Sequence, residues 1–276
     1  MRVMANPETE VSIADFERYF PHTPAALCVK ECARLSVLRK YVCPGPVLDV
    51  GCGDGLFASI AFNDVEVWGI DVDAKEGRWA AASQAYSQVV VGDVTQARLP
   101  SSFFRTCVAN CSLEHVVGLP AALTNLRSTL QPSGRIYAFV PNKDWARSLL
   151  SVRTLDAIGA SGLAENLREF IDYFFKHHHL YDQAGWRQIF ADAGFSVVAV
   201  EPVLSTASTR AFEALLLFSL AGWINKHLTT RWTNFPLARR TLAWPVYAVV
   251  KALLRAGDPS LTAEYLVIAE RPESGG

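Results

Sequence analysis

The segment Val47-Leu48-Asp49-Val50-Gly51-Cys52-Gly53-Asp54-Gly55 constrains this chain more than any other. A short apolar run enters three glycines at alternate positions, and Leu56 to Phe62 then reads as a helix. A run this short and apolar is a strand buried on both faces. Glycines at the turn permit left-handed backbone and close approach to a ligand. The same rhythm continues. Strands are expected at Val65 to Ile70, Gln88 to Val91, Arg105 to Asn110, Arg135 to Val140 and Phe195 to Val203, with a last one at Leu261 to Ala269. Helices are expected at Ala74 to Tyr86, Leu119 to Leu130 and Gln183 to Gly194, and Pro132-Ser133-Gly134 reads as a turn. Alternating strands and helices imply a mostly parallel sheet covered on both faces, with ligands at the carboxyl ends of the strands.

Three acids stand at successive strand ends. Asp49 lies inside the first strand, two residues before Gly51. Asp71 ends the second strand, and Asp93 follows the third. The glycine spacing is G-x-G-x-G rather than the G-x-G-x-x-G of nicotinamide dinucleotide sites. A carboxylate at Asp49 would repel a pyrophosphate and favour a cationic ligand. Asp71 is placed to accept both hydroxyls of a ribose, and Asp93 to take the exocyclic amine of an adenine. Taken singly, each acid reads equally well as a loop or cap carboxylate.

The motifs VLDVGCGDG, GIDVD, VGDV and CVANCSLEHV, followed by LQPSGRIYAFVPN, resemble the consecutive motifs of class I S-adenosylmethionine (SAM)-dependent methyltransferases. They are most similar to the methyltransferase type 11 group. The resemblance is close over residues 45–142 and looser over His179 to Pro202. It implies a Rossmann-like fold with a seven-stranded, mostly parallel sheet, helices on both faces and a helical insert between the last two strands. It also implies SAM as cofactor. Gly51, Cys52 and Gly53 would contact SAM through their backbone, and Asp49 would orient that loop. Asp71 would hold the ribose with Val72 against the adenine, Asp93 and Val94 would bind the adenine edge, and Asn110 would offer its carbonyl to the SAM ammonium. One departure is Phe103-Phe104-Arg105, where the family usually has Phe-Asp before the fourth strand.

Methyl transfer needs an acceptor held in line and, for a hydroxyl, a base. His115 follows the fourth strand and reads as a base, an acceptor-binding donor or a hydrogen-bonded histidine at a helix start. Three adjacent histidines, His177 to His179, point in different directions and are poor metal ligands as a set, so no metal is expected. His179 reads either as part of the acceptor pocket or as part of a capping segment in which Asp182 caps the next helix. Tyr19 and Phe20 could close over the cofactor or staple the N-terminal segment onto the helix Pro24 to Tyr41, which reads as amphipathic.

The net charge is −1, and no Asn/Asp-Pro-Pro-Tyr/Phe motif follows the fourth strand, which argues against a nucleic-acid partner. Between Ser205 and Ser260, however, there are seven Lys/Arg against two Asp/Glu. Two apolar runs there, Ala211 to Ile224 and Thr241 to Val250, are too short to span a bilayer. Lys226, Arg231, Arg239, Arg240, Lys251 and Arg255 flank them, with Trp223, Trp232 and Trp244 near their ends. This suits peripheral membrane contact through 208–257 or a lipid-like acceptor, and equally a packed cap or dimer contact. Six cysteines without zinc spacing read as free thiols, and residues 1–17 lack a secretory h-region, so a cytoplasmic setting is expected, with contact at the inner face of a membrane.

The expected organisation is a helical segment or lid at 1–44, a SAM-binding core at 45–204 with a helical insert at 143–183, an apolar basic insert at 205–260, and a final strand and tail at 261–276. The expected function is methyl transfer to a small or lipid-like acceptor, with oxygen as the acceptor atom. The alternatives are a non-catalytic SAM-binding or membrane-docking accessory protein and a nicotinamide-dependent oxidoreductase.

Overall fold

The structure is a computed structural model and describes residues 11–229, 232–254 and 262–273. Arg231, Arg255 and Leu261, the first ten residues, and the side chains of Trp223 and Lys226 lie outside the described residues. In chain order the elements are α1 (Ile13–Tyr19), α2 (Ala25–Leu38), β1 (Val47–Val50), α3 (Leu56–Ala61), β2 (Val67–Asp71), α4 (Ala74–Ala82), β3 (Gln88–Val91), β4 (Phe104–Asn110), α5 (Leu119–Thr129), β5 (Leu130–Pro141), α6 (Leu150–Ala157), α7 (Ser161–Phe175), α8 (Gln183–Asp192), β6 (Ser196–Pro202), α9 (Thr206–Thr229), α10 (Pro236–Leu254) and β7 (Glu264–Glu270). Two compact units result. One comprises Tyr41–Lys143, Phe175–Pro202 and Glu264–Gly276, and the other Met1–Lys40, Asp144–Phe174 and Val203–Ala263.

The first unit is the sheet, in the order β3-β2-β1-β4-β5-β7-β6. Strands β1 to β5 pair in parallel, while β7 runs antiparallel between β5 and β6. The seven-stranded, mostly parallel sheet expected from the sequence is therefore present. Strand order reverses at β1/β4, so the carboxyl ends of β1, β2 and β4 open the crevice where a ligand settles. On one face Leu48, Val50, Cys107, Ala109, Ile136 and Ala138 pack with Leu119, Leu123 and Leu126 of α5 and with Trp186 and Phe190 of α8. Alternation along the strands directs Asp49 to the opposite face. Trp186 is fully buried, and its indole N–H donates to Pro141 O at 2.8 Å. Truncating it to Ala would cost about 3–5 kcal/mol.

Two details differ from the linear reading. The turn expected at Pro132 to Gly134 lies inside β5, which runs from Leu130. Partners step from Phe104↔Leu130 to Thr106↔Arg135, and the intervening residues bulge out with Ser133 at φ 60°. Phe103 and Phe104 form an edge-on pair at 5.0 Å with Trp68 beside them at 5.3 and 5.6 Å, so this departure from the family pattern makes an aromatic cluster.

The second unit is helical and gathers segments far apart in sequence. Helix α2 packs on α1 and α9, and α10 packs on α1 and α9. Although α2 reads as amphipathic, it is buried on nearly every side. It can be so because its buried charges pair with each other, Arg34 Nη1 donating to Glu31 Oε1 at 2.8 Å. Phe16 stacks on Phe20 at 5.2 Å and meets Tyr247 at 5.6 Å. Tyr19 and Phe20 are both buried in this unit, so packing accounts for them. No helix among the described residues is long and apolar enough to cross a membrane.

Candidate active site

The turn after β1 has the geometry its glycines predict: Gly51, Gly53 and Gly55 take φ of 73°, 54° and 85°. Gly51 is required for space as well. A Cβ there would lie 2.4 Å from Ser112 Cβ, because Ser112 is drawn against the turn by its hydroxyl, which donates to Val50 O at 2.6 Å. At Gly53 a Cβ would meet nothing within 4 Å, so the backbone there borders open space.

Asp71 closes the turn. Its Oδ2 accepts from Gly53 N at 2.9 Å and its Oδ1 from Asp73 N at 2.9 Å. A carboxylate has about four lone-pair sites, so acceptor capacity on each oxygen remains for a vicinal diol. Gly51 N and Cys52 N donate to Ile70 O at 2.8 and 3.1 Å. The backbone contacts expected of Gly51, Cys52 and Gly53 would then rest on close approach and carbonyls, because these three amides are engaged within the protein.

Asp49 is buried beneath the turn and is absent from the residues lining the crevice. Tyr86 OH donates to its Oδ2 at 2.7 Å and reaches Cys52 O at 3.4 Å. Burial and the adjacent Asp49 raise the Tyr86 phenol well above its usual range, so it remains a donor. Asp49 thus fixes the loop through a tyrosine at the end of the next βα unit. No local sequence signal marks Tyr86, which is 37 residues away.

The crevice has a volume of about 580 Å³ and is lined by Asp71, Val72, Asp93, Val94, Ser112 and His115, among others. This lies in the range of small-molecule sites, ~300–1,000 Å³. Val72 is 74 % exposed and gives the crevice an apolar surface. Asp93 Oδ1 accepts from Thr95 N at 2.8 Å, and the Thr95 amide and hydroxyl hold its carboxyl below the usual range. Asn125 fixes the same loop by donating to Val94 O at 2.8 Å and Ala97 O at 3.0 Å. Asn110 ends β4 opposite Phe139, and Cys111 after it takes φ 51°, an uncommon conformation for a residue with a Cβ. An apolar platform between two carboxylates, beside an open glycine cradle, suits an adenine, a ribose and a cationic amino-acid tail, so the residues present fit SAM.

His115 lines this crevice beside Ser112, Val116 and Val117. Its Nδ1 lies 3.1 Å from Lys176 O, and a carbonyl only accepts, so Nδ1 carries the proton of the neutral ring. The lone pair is then on Nε2, which is 3.8 Å from Glu114 Oε1. Glu114, 2 % exposed, joins two segments through its carbonyl, which accepts from His178 N at 2.9 Å and His179 N at 3.1 Å. Ligand-capable atoms of Glu114, His115 and His177 lie within 4.8 Å of one another. The rings of His115 and His177 stack at 5.5 Å and 21°, so their in-plane lone pairs run in nearly parallel planes instead of converging as a tetrahedral ion requires.

His179 is absent from the crevice lining. Its Nε2 donates to Val116 O at 2.9 Å, and its Nδ1 faces Tyr181 OH at 3.3 Å. Both nitrogens are therefore occupied, Nε2 by the loop that carries Val116 and Nδ1 by Tyr181 of its own segment. Asp182 caps α8, accepting from Gly185 N at 2.9 Å.

A family model described as a methyltransferase domain matches residues 22–200, and the chain belongs to this SAM-dependent methyltransferase family. An uncharacterized methyltransferase of Mycobacterium bovis and two of Mycobacterium tuberculosis are each 36 % identical over 93 residues, covering 33 % of this chain and 47 % of the relative. The chain thus spans about half the length of the curated relatives it matches. Among solved structures, the [4+2]-cyclase SpnF aligns at TM-score 0.55 and 18 % identity, covering 90 % of this chain and 82 % of that one. Phosphoethanolamine N-methyltransferase 2 of Haemonchus contortus, in complex with SAM, aligns at 0.54 and 15 %, covering 87 % and 52 %. A geranyl diphosphate methyltransferase aligns at 0.52 and 14 %, covering 87 % and 77 %. These likenesses are of fold.

Proposed function

We propose that this protein transfers a methyl group from SAM to an oxygen of a small or lipid-like acceptor, with His115 as general base. The supporting observation is the fixed tautomer of His115 in the wall of the crevice. Bound SAM supplies an electrophilic methyl on a sulfonium. Asp71, Val72, Asp93 and Val94 would hold its nucleoside, and Asn110 its ammonium. His115 Nε2, which carries the lone pair, would take the proton that an acceptor hydroxyl releases on methylation. The resulting imidazolium would be stabilised by Lys176 O at one nitrogen and the Glu114 carboxylate near the other. His179 would act on the acceptor side by positioning the Val116 loop.

The same reading includes peripheral contact with an anionic bilayer through 208–257. On the outer face of α10, Leu237 and Trp244 are 80 % and 68 % exposed, with the basic Arg240 and Lys251 along one flank. An exposed apolar stripe beside cations suits the headgroup boundary.

The test is radiolabelled methyl transfer into hydroxyl-bearing small molecules and lipid extracts, comparing wild type with His115→Gln. Loss of transfer by about 10²-fold or more, with S-adenosylhomocysteine affinity retained, is expected. Undiminished transfer by the variant refutes the base. If SAM binds but no fraction is methylated, the non-catalytic accessory reading replaces this one.

A further inference from the structure

We infer that the helical unit holds a second binding site, separate from the SAM crevice, which takes the hydrocarbon chain of an anionic amphiphile with its acidic head at Arg239. The inference does not depend on methyl transfer.

A cavity of about 500 Å³ lies within this unit, walled by Phe20, Pro24, Leu215, Trp232, Val246 and Val249 among others. Its size is that of a ligand site. Phe235 and Val249 line it and are 74 % and 55 % exposed, so the cavity is open to solvent.

The polar groups in its wall are engaged with one another or with backbone. Ser219 Oγ donates to Leu215 O at 2.9 Å and accepts from Ala26 N at 3.4 Å. Thr233 Oγ1 donates to Pro21 O at 2.7 Å. Asn225 and Asn234 exchange amide hydrogen bonds at 3.2 and 2.6 Å. A wall whose polar groups are satisfied internally presents mainly apolar surface to an occupant. It rewards hydrocarbon, and it offers little in exchange for the hydration a polar ligand would lose.

Arg239 is the exception. Its Nε donates to Phe20 O at 2.9 Å and its Nη2 to Thr23 O at 2.7 Å, while its guanidinium lies over the Phe20 ring at 4.1 Å. These contacts use two of its five N–H donors and fix the orientation of the fork. No carboxylate among the described residues lies within 4.0 Å of it. Burial lowers its pKa below that of a free guanidinium, which is the cost of a cation without a countercharge. A preorganised, partly desolvated guanidinium at the wall of an apolar cavity is complementary to a carboxylate or phosphate attached to a chain.

Dodecanoate below its micellar concentration is the probe, titrated calorimetrically into the full chain. One-to-one binding is expected, with dodecanol bound at least tenfold more weakly. Arg239→Gln, which keeps donors for the two carbonyls but removes the charge, should weaken dodecanoate at least tenfold, and Arg239→Lys, which restores the charge without the fork, should recover only part of the loss. Val249→Trp, which adds bulk at an exposed lining position, should abolish binding of both probes without shifting the melting temperature by more than a few degrees. Flotation on phosphatidylglycerol vesicles separates the two sources of such a ligand. If Val249→Trp also lowers vesicle recovery, the natural occupant is a bilayer lipid; if recovery is unchanged, it is a free amphiphile. Absence of dodecanoate binding by wild type, equal binding by Val249→Trp, or equal affinity for dodecanol overturns the proposal.

Discussion

Replacing Asp71 by Asn is nearly isosteric, yet the structure predicts a large effect. Both carboxylate oxygens accept backbone N–H groups, Gly53 N on one and Asp73 N on the other, each at 2.9 Å. An Asn side chain has one oxygen and one NH₂. Whichever way it is turned, one backbone N–H faces another donor. The substitution therefore loses one charge-assisted hydrogen bond, worth about 1.5–3 kcal/mol, and the site is only part-buried, which favours the lower half of that range. If Asp71 holds the ribose as proposed, the same flip would leave one ribose hydroxyl facing a donor. A comparable loss for the ligand corresponds to about 10- to 100-fold in affinity, since ~1.4 kcal/mol is tenfold. The assay is calorimetric titration with S-adenosylhomocysteine, alongside thermal unfolding to read the loop's share. Asp71→Ala should weaken binding further, because it removes both acceptors. An Asp71→Asn affinity within twofold of wild type would refute the assignment of this carboxylate to both the turn and the ribose.

Gly51→Ala places a Cβ 2.4 Å from Ser112 Cβ at a residue with φ 73°, so it should cost more than ~1 kcal/mol and abolish S-adenosylhomocysteine binding. Adding Ser112→Gly should recover part of the melting temperature, and no recovery would mean that strain in φ, not the contact, dominates. Tyr86→Phe removes a donor from the buried Asp49 and should destabilise by about 1–3 kcal/mol, read by denaturant unfolding; a change under ~0.5 kcal/mol would show that Tyr86 does not fix the loop. Burial pushes the Cys43 thiol up to about 12 and raises those of Cys28, Cys52 and Cys107, so at pH 8 little of each is thiolate. Ellman's reagent should modify these four slowly in the native protein and all six free cysteines at once in denaturant; rapid native labelling of Cys52 would contradict its buried setting.

The sequence by itself determined the sheet and the glycine turn at the end of β1. Short apolar strands, the glycine turn and an acid at the end of β2 are local signals, because each residue acts within a few positions of its own backbone. Asp71 serves its own strand end and the glycine turn beside it, and Asp182 caps the helix it precedes. What only the tertiary structure decided depends on groups brought together from distant segments. Tyr86 reaches Asp49, Lys176 O sets the tautomer of His115, and His179 is engaged by Val116 O. The amphipathic pattern of α2 was legible, but its burial on nearly all sides was not, because α1 and α9 arrive from opposite ends of the chain. The cavity at Arg239 has the same origin. Its walls are helix faces and the short connections between them, and only their packing encloses a volume and leaves a guanidinium in it without a carboxylate among the described residues. Hydrophobic pattern specifies which surfaces are covered, whereas the partner that covers them, and any gap left between, is fixed by packing across the whole fold.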